Sequence, residues 1–129
     1  MVEDELSIQK LYRMVLEAYG FKIIGTAKNG EEAVEIYKTF SKTPDLIIMD
    51  HRMPIKNGIE ASKEILQLDR DAKIIIASAD NTVKEYYRSI GALSFISKPF
   101  SNQTLIKEIN KVLRHTTYQK IQKDVTSRL

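Results

Sequence analysis

The sequence predicts an α/β protein in which five β–α units build a parallel β-sheet with helices on both faces. Short runs rich in β-branched residues alternate with segments whose apolar residues recur at helical spacing, and the connections between them are short. Two of the runs, "LIIM" at 46–49 and "IIIA" at 74–77, are apolar throughout, which is typical of parallel strands buried on both sides. At 129 residues, the chain is most simply one domain.

The first two predicted helices flank the second predicted strand. The first helix carries a repeat of apolar residues at helical spacing and ends at Gly20, a common C-terminal cap. The stretch "FKIIGTA", residues 21–27, follows as a strand, and Asn29-Gly30 opens the second helix. The residues predicted to face the core are Ile8, Leu11, Tyr12, Val15, Leu16 and Tyr19 in the first helix and Ala33, Ile36, Tyr37 and Phe40 in the second.

The middle of the chain holds the two most apolar strands. Residues 46–49 form the third predicted strand and run directly into Asp50. Residues 59–68 have the period of a third helix, and "KIIIASA", residues 73–79, is the fourth strand. A carboxylate at the end of a buried strand makes Asp50 a candidate functional residue.

The last part of the chain predicts a fourth helix, a fifth strand and a fifth helix. Thr82 with Glu85 forms a capping box at the start of the fourth helix. The stretch "LSFIS", residues 93–97, is a short fifth strand, and Ser101 caps the final helix. The residues predicted to face the core are Val83, Tyr86, Tyr87 and Ile90 in the fourth helix and Leu105, Ile106, Ile109, Val112 and Leu113 in the fifth.

The C-terminal residues differ from the rest of the chain. Residues 115–129 lose clear periodicity and are basic. We therefore interpret residues 1–114 as the folded domain. Residues 115–129 are interpreted as a basic tail or an extension of the last helix.

The composition excludes several classes of protein. The chain has no cysteine, so disulfides and thiolate metal sites are excluded. The formal net charge is +3, and the lysines interleave with acids as on solvated helix faces rather than on a nucleic-acid-binding surface. The acidic start "MVEDEL" is unlike a signal peptide, and the apolar runs are too short to cross a bilayer. We therefore expect a cytoplasmic protein with no direct contact to nucleic acid or membrane.

Several chemically functional residues stand at the carboxyl ends of predicted strands. Glu3 and Asp4 close the first strand, Asp50 the third and Ser78 the fourth, and Lys98 follows the fifth. In an open α/β sheet, ligands bind beyond the carboxyl ends of the strands. The sequence therefore predicts that these residues meet at one edge of the sheet.

Three carboxylates held close together call for a cation. Like charges raise one another's pKa unless a positive charge intervenes. Carboxylates without histidine or thiolate suit a hard cation such as Mg²⁺, which favours a few carboxylates with waters and phosphate oxygens. Mg²⁺ and Lys98 together would neutralise the three acids, and a phosphoryl group on Asp50 would take its charge from −1 to about −2.

Four motifs in order resemble those of response-regulator receiver domains, the family that includes the bacterial chemotaxis regulator. They are the acidic pair "ED" at 3–4, "MDHRMPIKNG" at 49–58, "IIIASAD" at 74–80 and "FISKPF" at 95–100. The resemblance runs from Glu3 to Leu113 and so covers nearly the whole chain. It implies a flavodoxin-like (βα)5 fold with strand order 2-1-3-4-5, here with an unusually short first strand.

The resemblance implies which residues bind the phosphoryl group and the metal. Asp50 would accept the phosphoryl group from its donor and would also bind Mg²⁺. Asp4 would bind the metal directly and Glu3 mostly through water. The backbone carbonyl of Arg52 would supply a further metal ligand.

The resemblance also implies roles at the ends of the fourth and fifth strands. Lys98 and Ser78 would assist catalysis and, with the backbone N–H of Ala79, would bind the phosphoryl group. Ser78 and Phe95 would form a switch that reports the phosphorylated state, although a simple packing role for Phe95 stays equally open. Lys98-Pro99 is a candidate cis peptide bond.

Partners follow from the same resemblance. A sensor histidine kinase or a phosphotransfer protein would supply the phosphoryl group. A downstream protein would contact the fourth helix, the fifth strand and the fifth helix. The domain would then be a signalling domain of a two-component pathway, which catalyses only its own phosphorylation and slow dephosphorylation.

A few positions depart from the commonest family pattern or add to it. Glu3, Ser78 and Phe95 stand where aspartate, threonine and tyrosine are more usual. Phe95 lacks the hydroxyl that a tyrosine shows to partners. Arg52 and Asp80 lie two residues past Asp50 and Ser78, and we hypothesise that their opposite charges pair across the mouth of the site.

Two other functions stay open from the sequence. One is a phosphatase with an aspartyl nucleophile, but such an enzyme wants a second acid two residues after the nucleophile, where Arg52 stands here. The other is a receiver-like interaction module that is never phosphorylated, which would be expected to lack a site residue. His51 and His115 are assigned no role.

The first predicted strand is unusually short. Only Met1 and Val2 precede the acidic pair, where the resemblance implies a central strand of about five residues. Three explanations stay open: the chain as given begins late, another segment fills the gap, or the fold tolerates a very short strand. Dimerisation or exchange of a strand between two copies is one way to fill such a gap.

Overall fold

Helices and strands alternate along most of the chain as predicted. The computed structural model describes the backbone of residues 1–127 and the side chains of residues 1–114. The elements are α1 (Leu6–Ala18), α2 (Gly30–Thr39), β1 (Ile47–Asp50), α3 (Gly58–Leu68), β2 (Ile74–Ser78), α4 (Asn81–Lys84), β3 (Ser94–Ser97) and α5 (Asn102–Ser127). The third, fourth and fifth predicted strands are confirmed as β1, β2 and β3.

The three strands form a parallel sheet in the order β1-β2-β3. Ile47 lies opposite Ile74, and Ile75 lies opposite Ser94. Because the strands run in the same direction, their carboxyl ends share one edge of the sheet. Asp50 and Ser78, the last residues of β1 and β2, stand at that edge.

The first two predicted strands are reduced to isolated bridges, so the prediction of a regular strand at 21–27 is wrong. Val2 pairs in parallel with Ala27 on one side and Met49 on the other. The N–H of Val2 donates to the carbonyl oxygen of Ile48, and the N–H of Glu3 donates to that of Ala27. Within residues 21–27, the pairing is limited to the bridge at Ala27. The full strand order 2-1-3-4-5 stays a prediction.

A cavity of about 630 Å³ lies next to these bridges. It lies between residues 21–27 and residues 44–48, and its lining includes Phe21, Ile36 and Phe40. The cavity lies where the pairing between these segments is limited to the bridges of Val2. Dimerisation or strand exchange at this place stays a prediction.

Helices cover both faces of the sheet, as the sequence predicts. Ile74 and Ile76 of β2 belong to one apolar cluster, whereas Ile75 between them belongs to the other. The first cluster includes residues of α2 and α3, and the second includes residues of α1 and α5; representative members are Val34, Tyr37, Ile59 and Ile65 in the first and Leu16, Leu105 and Ile109 in the second. The doubly wound α/β arrangement is confirmed.

The predicted inner face of α1 is wrong in part. Leu11 and Tyr19 are 53% and 56% exposed, while the polar side chain of Gln9 is buried. A buried amide is tolerated where its hydrogen bonds are made, and the Nε2 atom of Gln9 donates to two backbone carbonyls. Tertiary hydrogen bonds have therefore decided which side of the helix turns inward.

The fourth helix is shorter than predicted, and its predicted capping box is wrong. Asp80 caps α4, because its Oδ1 atom accepts hydrogen bonds from both the N–H and the hydroxyl of Thr82. After Lys84 the chain continues in turns in which the N–H of Gly91 donates to the carbonyl oxygen of Arg88. Val83 is fully buried as predicted, whereas Tyr86 is 41% exposed.

The other helix boundaries agree closely with the predictions. The Asn29 side chain caps α2 by accepting from the N–H of Glu32, and Ser101 Oγ accepts from the N–H of Thr104 at the start of α5. The backbone of α5 extends to Ser127. The proposed division at residue 114 stays a prediction, because side chains after it lie outside the described residues. In the part of the chain that the structure describes, no helix has the length and apolar content to cross a bilayer.

Candidate functional site

The predicted site residues gather at the carboxyl edge of the sheet. Asp50 ends β1, Ser78 ends β2, and Lys98 follows β3. The N–H of Asp50 donates to the carbonyl oxygen of Val2, which brings the next residue, Glu3, beside it. The Lys98-Pro99 peptide bond is cis, as the sequence suggested.

Lys98 joins two buried carboxylates. Its Nζ atom lies 2.8 Å from Oδ1 of Asp50 and 3.1 Å from Oε2 of Glu3. The side chains of Glu3 and Asp50 are only 3% and 7% exposed. Glu3 and Lys98 are 95 residues apart in the chain, so they meet only because the sheet brings the strand ends together.

Asp4 completes a cluster of three acids. One carboxylate oxygen from each of Glu3, Asp4 and Asp50 lies within 4.8 Å of the others. Asp4 is exposed, so the cluster is reached from solvent on its side. The three donors are all carboxylate oxygens, and this donor set fits a hard cation such as Mg²⁺.

The ammonium of Lys98 does not by itself balance the negative charge of the three carboxylates. Burial raises the pKa of Asp50, although the hydrogen bond from Lys98 opposes this rise. Burial and then the nearby charge of Asp50 raise the pKa of Glu3, again against Lys98. Burial alone would lower the pKa of Lys98, but its contacts with Asp50 and Glu3 outweigh burial and raise it. A further cation at the cluster would stabilise the charged carboxylates.

Ser78 is buried at the end of β2, and its hydroxyl oxygen accepts one backbone hydrogen bond. Its Oγ atom accepts a hydrogen bond of 3.0 Å from the N–H of Asp80, which leaves the hydroxyl proton to be donated elsewhere. The carbonyl oxygen of Ser78 accepts from the N–H of Lys98. Ala79, by contrast, is exposed. The backbone thus ties the ends of β2 and β3 together.

Arg52 and Asp80 do approach each other, as hypothesised. Nη2 of Arg52 lies 3.7 Å from Oδ2 of Asp80, with the arginine side chain 75% exposed. Arg52 also lines a shallow depression that includes Asp4, on the open side of the acid cluster. The ion pair therefore stands at the mouth of the site.

His51 follows Asp50 but shows no contact that would give it a role. Its N–H donates to the carbonyl oxygen of Ala77, which is a structural bond. Burial lowers the pKa of its imidazole, and its Nδ1 atom has no hydrogen-bond partner among the described residues. His115 lies outside the residues whose side chains are described.

Phe95 lies on the sheet face beside the irregular region after α4. Its ring stacks on Tyr87 with 5.9 Å between centroids and 27° between planes, and Phe95 is partly buried. Arg88 in turn lies over the Tyr87 ring, 5.6 Å from its centroid. Both the packing role and the switch role of Phe95 are compatible with this stack.

Sequence patterns did not predict three features of the site. Gln9 binds the carbonyl oxygen of Glu3, and Tyr12 stacks on Phe100, two residues after Lys98. Neither has a local signal, because glutamine and tyrosine are ordinary residues on a helix. Gly58 is the third: a Cβ there would lie 2.2 Å from the carbonyl oxygen of Asp50. The Asn57-Gly58 pair was visible, but this close approach was not.

Comparisons with known proteins agree with one another. Residues 1–110 match the family model described as response regulator receiver domain. Chemotaxis protein CheY of Thermotoga maritima is 39% identical over 114 residues, which cover 87% of this chain and 93% of that protein. CheY of Bacillus subtilis is 40% identical over 115 residues, which cover 88% of this chain and 94% of that protein.

A solved structure is also similar to this chain. It is the crystal structure of the CheX-CheY-BeF3-Mg²⁺ complex from Borrelia burgdorferi, with a TM-score of 0.82 and 31% identity, covering 86% of this chain and 84% of that one. The range matched by the family model contains the whole site from Glu3 to Lys98.

Proposed function

The chain belongs to the response regulator receiver domain family, and from this premise we propose that Asp50 is its phosphoryl acceptor. The protein is a phosphoacceptor domain of two-component signalling, a class of domain that interacts with kinases and downstream effectors. Asp50 is the acid that ends β1 and contacts Lys98 at 2.8 Å. This contact, within a cluster of three carboxylates, is the observation that carries the proposal.

Glu3, Asp4 and Asp50 would hold Mg²⁺, with the backbone carbonyl of Arg52 as a further ligand. The mutual approach of the three carboxylates and the raised pKa of Glu3 and of Asp50 support this assignment. When bound, the metal would neutralise charge on the carboxylates and on the phosphoryl oxygens. Arg52 lines the same depression as Asp4, which supports its inclusion.

The transfer is a displacement at phosphorus. A carboxylate oxygen of Asp50 forms a bond to the phosphorus as the P–N bond of a phosphohistidine donor breaks. The electron pair of that bond returns to the imidazole, which leaves neutral when its other nitrogen carries a proton. Lys98 stabilises negative charge at the acceptor. The hydroxyl of Ser78 and the N–H of Ala79 bind the phosphoryl oxygens of the product.

The partners and the output surface follow from the same assignment. A sensor histidine kinase or a phosphotransfer protein supplies the phosphoryl group in the cytoplasm, and no direct contact with nucleic acid or membrane is involved. The signal leaves through α4, β3 and α5, with Ser78 and Phe95 as the switch. The stack of Phe95 on Tyr87 supports this choice of output surface. If the Phe95 ring moved, its contact with Tyr87 would move the turns after α4. The protein acts as a signalling domain rather than as an enzyme with an external substrate.

The alternatives differ in what they require of the site. A phosphatase with an aspartyl nucleophile needs an acid two residues after Asp50, but Arg52 stands there with its side chain paired to Asp80. A receiver-like module without phosphorylation would lack a member of the acceptor site. Glu3, Asp50 and Lys98 are instead in direct contact.

The test is phosphorylation by a small donor. The wild type and the Asp50→Asn variant are incubated with acetyl phosphate or beryllofluoride, with and without Mg²⁺. The Asp45→Asn variant, which changes an exposed aspartate, is the matched control. Metal-dependent labelling that Asp50→Asn loses and Asp45→Asn keeps supports the proposal. Steady turnover of phosphate esters points to the phosphatase, and no response of the wild type points to the unphosphorylated module.

A further inference from the structure

We propose that α1 positions the ion pair between Lys98 and Glu3 through two side chains on one of its faces, Gln9 and Tyr12. The inference rests on the proposed function, because it concerns the groups that would hold the metal and the phosphoryl group. Residues three apart on a helix share a face, so Gln9 and Tyr12 are neighbours. One of them contacts the backbone of Glu3, and the other contacts the loop that carries Lys98.

Gln9 fixes the backbone at the acidic pair. Its Nε2 atom donates 3.2 Å hydrogen bonds to the carbonyl oxygens of Glu3 and Ala27. The side chain is 9% exposed, and both hydrogen bonds are buried. Buried carbonyl groups need partners, so the amide holds the two chain segments at a fixed separation.

This hydrogen bond lies where the backbone pairing of the sheet is sparse. Val2 makes isolated bridges to Ala27 and Met49 in place of a ladder of several residues. The N–H of Glu3 also donates to the carbonyl oxygen of Ala27. Gln9 therefore adds a side-chain tie where the backbone ladder is nearly absent, directly before the carboxylates that form the cluster.

Tyr12 fixes the other end of the ion pair. Its ring stacks on Phe100 with 5.5 Å between centroids and 23° between planes. Phe100 follows the cis peptide Lys98-Pro99, so the stack holds the loop that aims Lys98. Lys98 Nζ is then within ion-pair distance of both Glu3 and Asp50. A single rigid helix thus holds both sides of the contact.

Neither residue touches the reacting atoms, so both are positioning residues. Loss of either should loosen the geometry of the acids and the lysine without removing any of them. Groups that orient metal ligands from outside the site typically change metal affinity by about 10- to 100-fold. For loss of Gln9, which holds the backbone of Glu3, the prediction is a loss of Mg²⁺ affinity of about tenfold. Lys98 is a cation and not a metal ligand, so loss of the Tyr12 ring should instead displace the Lys98 ammonium and slow labelling of Asp50.

The first experiment measures Mg²⁺ binding to the protein with no phosphodonor present. The Gln9→Met variant keeps the length of the side chain and removes both donors. Gln103→Met, at an exposed position of α5, is the matched control. We expect the dissociation constant for Mg²⁺ to rise about tenfold in Gln9→Met and to stay unchanged in Gln103→Met. An unchanged constant in a folded Gln9→Met variant overturns the role of Gln9.

The second experiment asks whether the aromatic stack acts through Lys98. Tyr12→Phe keeps the ring and should be labelled by acetyl phosphate at the wild-type rate, whereas Tyr12→Ala should be labelled about tenfold more slowly because Lys98 is misplaced. Tyr19→Ala, at the exposed end of the same helix, is the control. The NMR signal of the Lys98 ammonium should shift in Tyr12→Ala and not in Tyr12→Phe. An equal shift of the Lys98 signal in the alanine and phenylalanine variants, or no shift in either, overturns the role of the stack.

These outcomes are separable from failure of the proposed function. If the wild type binds Mg²⁺ but takes no phosphoryl group on Asp50, the acceptor assignment fails while the positioning role is still measured. If the wild type is phosphorylated and the Gln9 and Tyr12 variants match it in both metal affinity and labelling rate, only the positioning role fails. The tyrosine series keeps the inference testable should Gln9→Met not fold.

Discussion

Nζ of Lys98 lies 2.8 Å from Oδ1 of Asp50 and also reaches Glu3, so one ammonium is shared between two buried carboxylates. The arrangement leaves excess negative charge at the carboxyl edge of the sheet once Asp4 is counted. This excess charge fits the Mg²⁺ site and the acceptor role proposed for Asp50.

Removal of the Lys98 ammonium should slow the phosphorylation of Asp50. For Lys98→Met we expect the rate of labelling by acetyl phosphate to fall about 100-fold, because a preorganised group that stabilises developing charge is lost. The measurement is a time course of phosphorylation at saturating Mg²⁺. Lys107→Met, at an exposed position of α5, serves as control and should label at the wild-type rate. A change of less than twofold at Lys98 would contradict the assignment.

The stability of the metal-free protein should depend on pH through the buried acids. Burial raises the pKa of Asp50, so the folded state binds this proton more tightly than the unfolded state. Stability should therefore fall as the pH rises from the ordinary carboxyl pKa, about 4, through the raised value. The raised pKa of Lys98 adds stability that is fully present below its ordinary pKa and so stays constant in this range.

The check is urea unfolding of the wild type and Asp50→Asn between acidic and neutral pH. The stability of the variant relative to the wild type should increase as the pH rises, and Mg²⁺ should reduce that difference. Asp45→Asn, an exposed change, should not reproduce the trend. A difference that shrinks with rising pH would show that Asp50 is not the group responsible.

The pair at the mouth of the site should affect the lifetime of the phosphoryl group more than stability. Arg52→Ala should change unfolding by less than about 1 kcal/mol, since the pair is 3.7 Å apart and the arginine is largely exposed. Asp80→Ala should destabilise the protein more than Arg52→Ala does, because Asp80 also caps α4. Both variants should change the dephosphorylation rate, measured after removal of the donor. An unchanged rate in both would refute a role for the pair.

Gly58 should resist substitution because of a backbone contact. An added Cβ would lie 2.2 Å from the carbonyl oxygen of Asp50, and backbone atoms cannot rotate away. We expect Gly58→Ala to cost about 3 kcal/mol in unfolding free energy and to slow phosphorylation. Gly25→Ala should cost less, because its nearest contact, at 3.0 Å, is the ring tip of Phe40. Equal costs at both positions would mean that the Asp50 contact is not limiting.

Ile55 offers a stabilising change. It has a φ of +70° and is 75% exposed, so a β-branched residue occupies the left-handed region without burial in return. Ile55→Asn should raise the unfolding free energy by about 1 kcal/mol, since asparagine tolerates this conformation. The same change at Ile24, which is 43% exposed and has no positive φ, should give no gain. Unfolding midpoints in urea decide between them.

Local sequence patterns predicted most of the fold. The apolar runs that became β1 and β2, and the caps at Asn29 and Ser101, are confirmed within about one residue. The predictions failed where tertiary contacts override local preference. Asp80 displaced Thr82 as the cap of α4, and the segment at 21–27 formed only a bridge at Ala27.

What the sequence determined by itself is the periodicity of its elements and therefore which residues stand at strand ends. Glu3, Asp50 and Lys98 are such residues, and parallel strands carry their ends to one edge for a simple geometric reason. Only the tertiary structure decided the distances between them, the burial of Glu3, and the contacts of Gln9 and Tyr12 with the site. Those depend on packing between segments far apart in the chain, and local periodicity carries no information about such contacts.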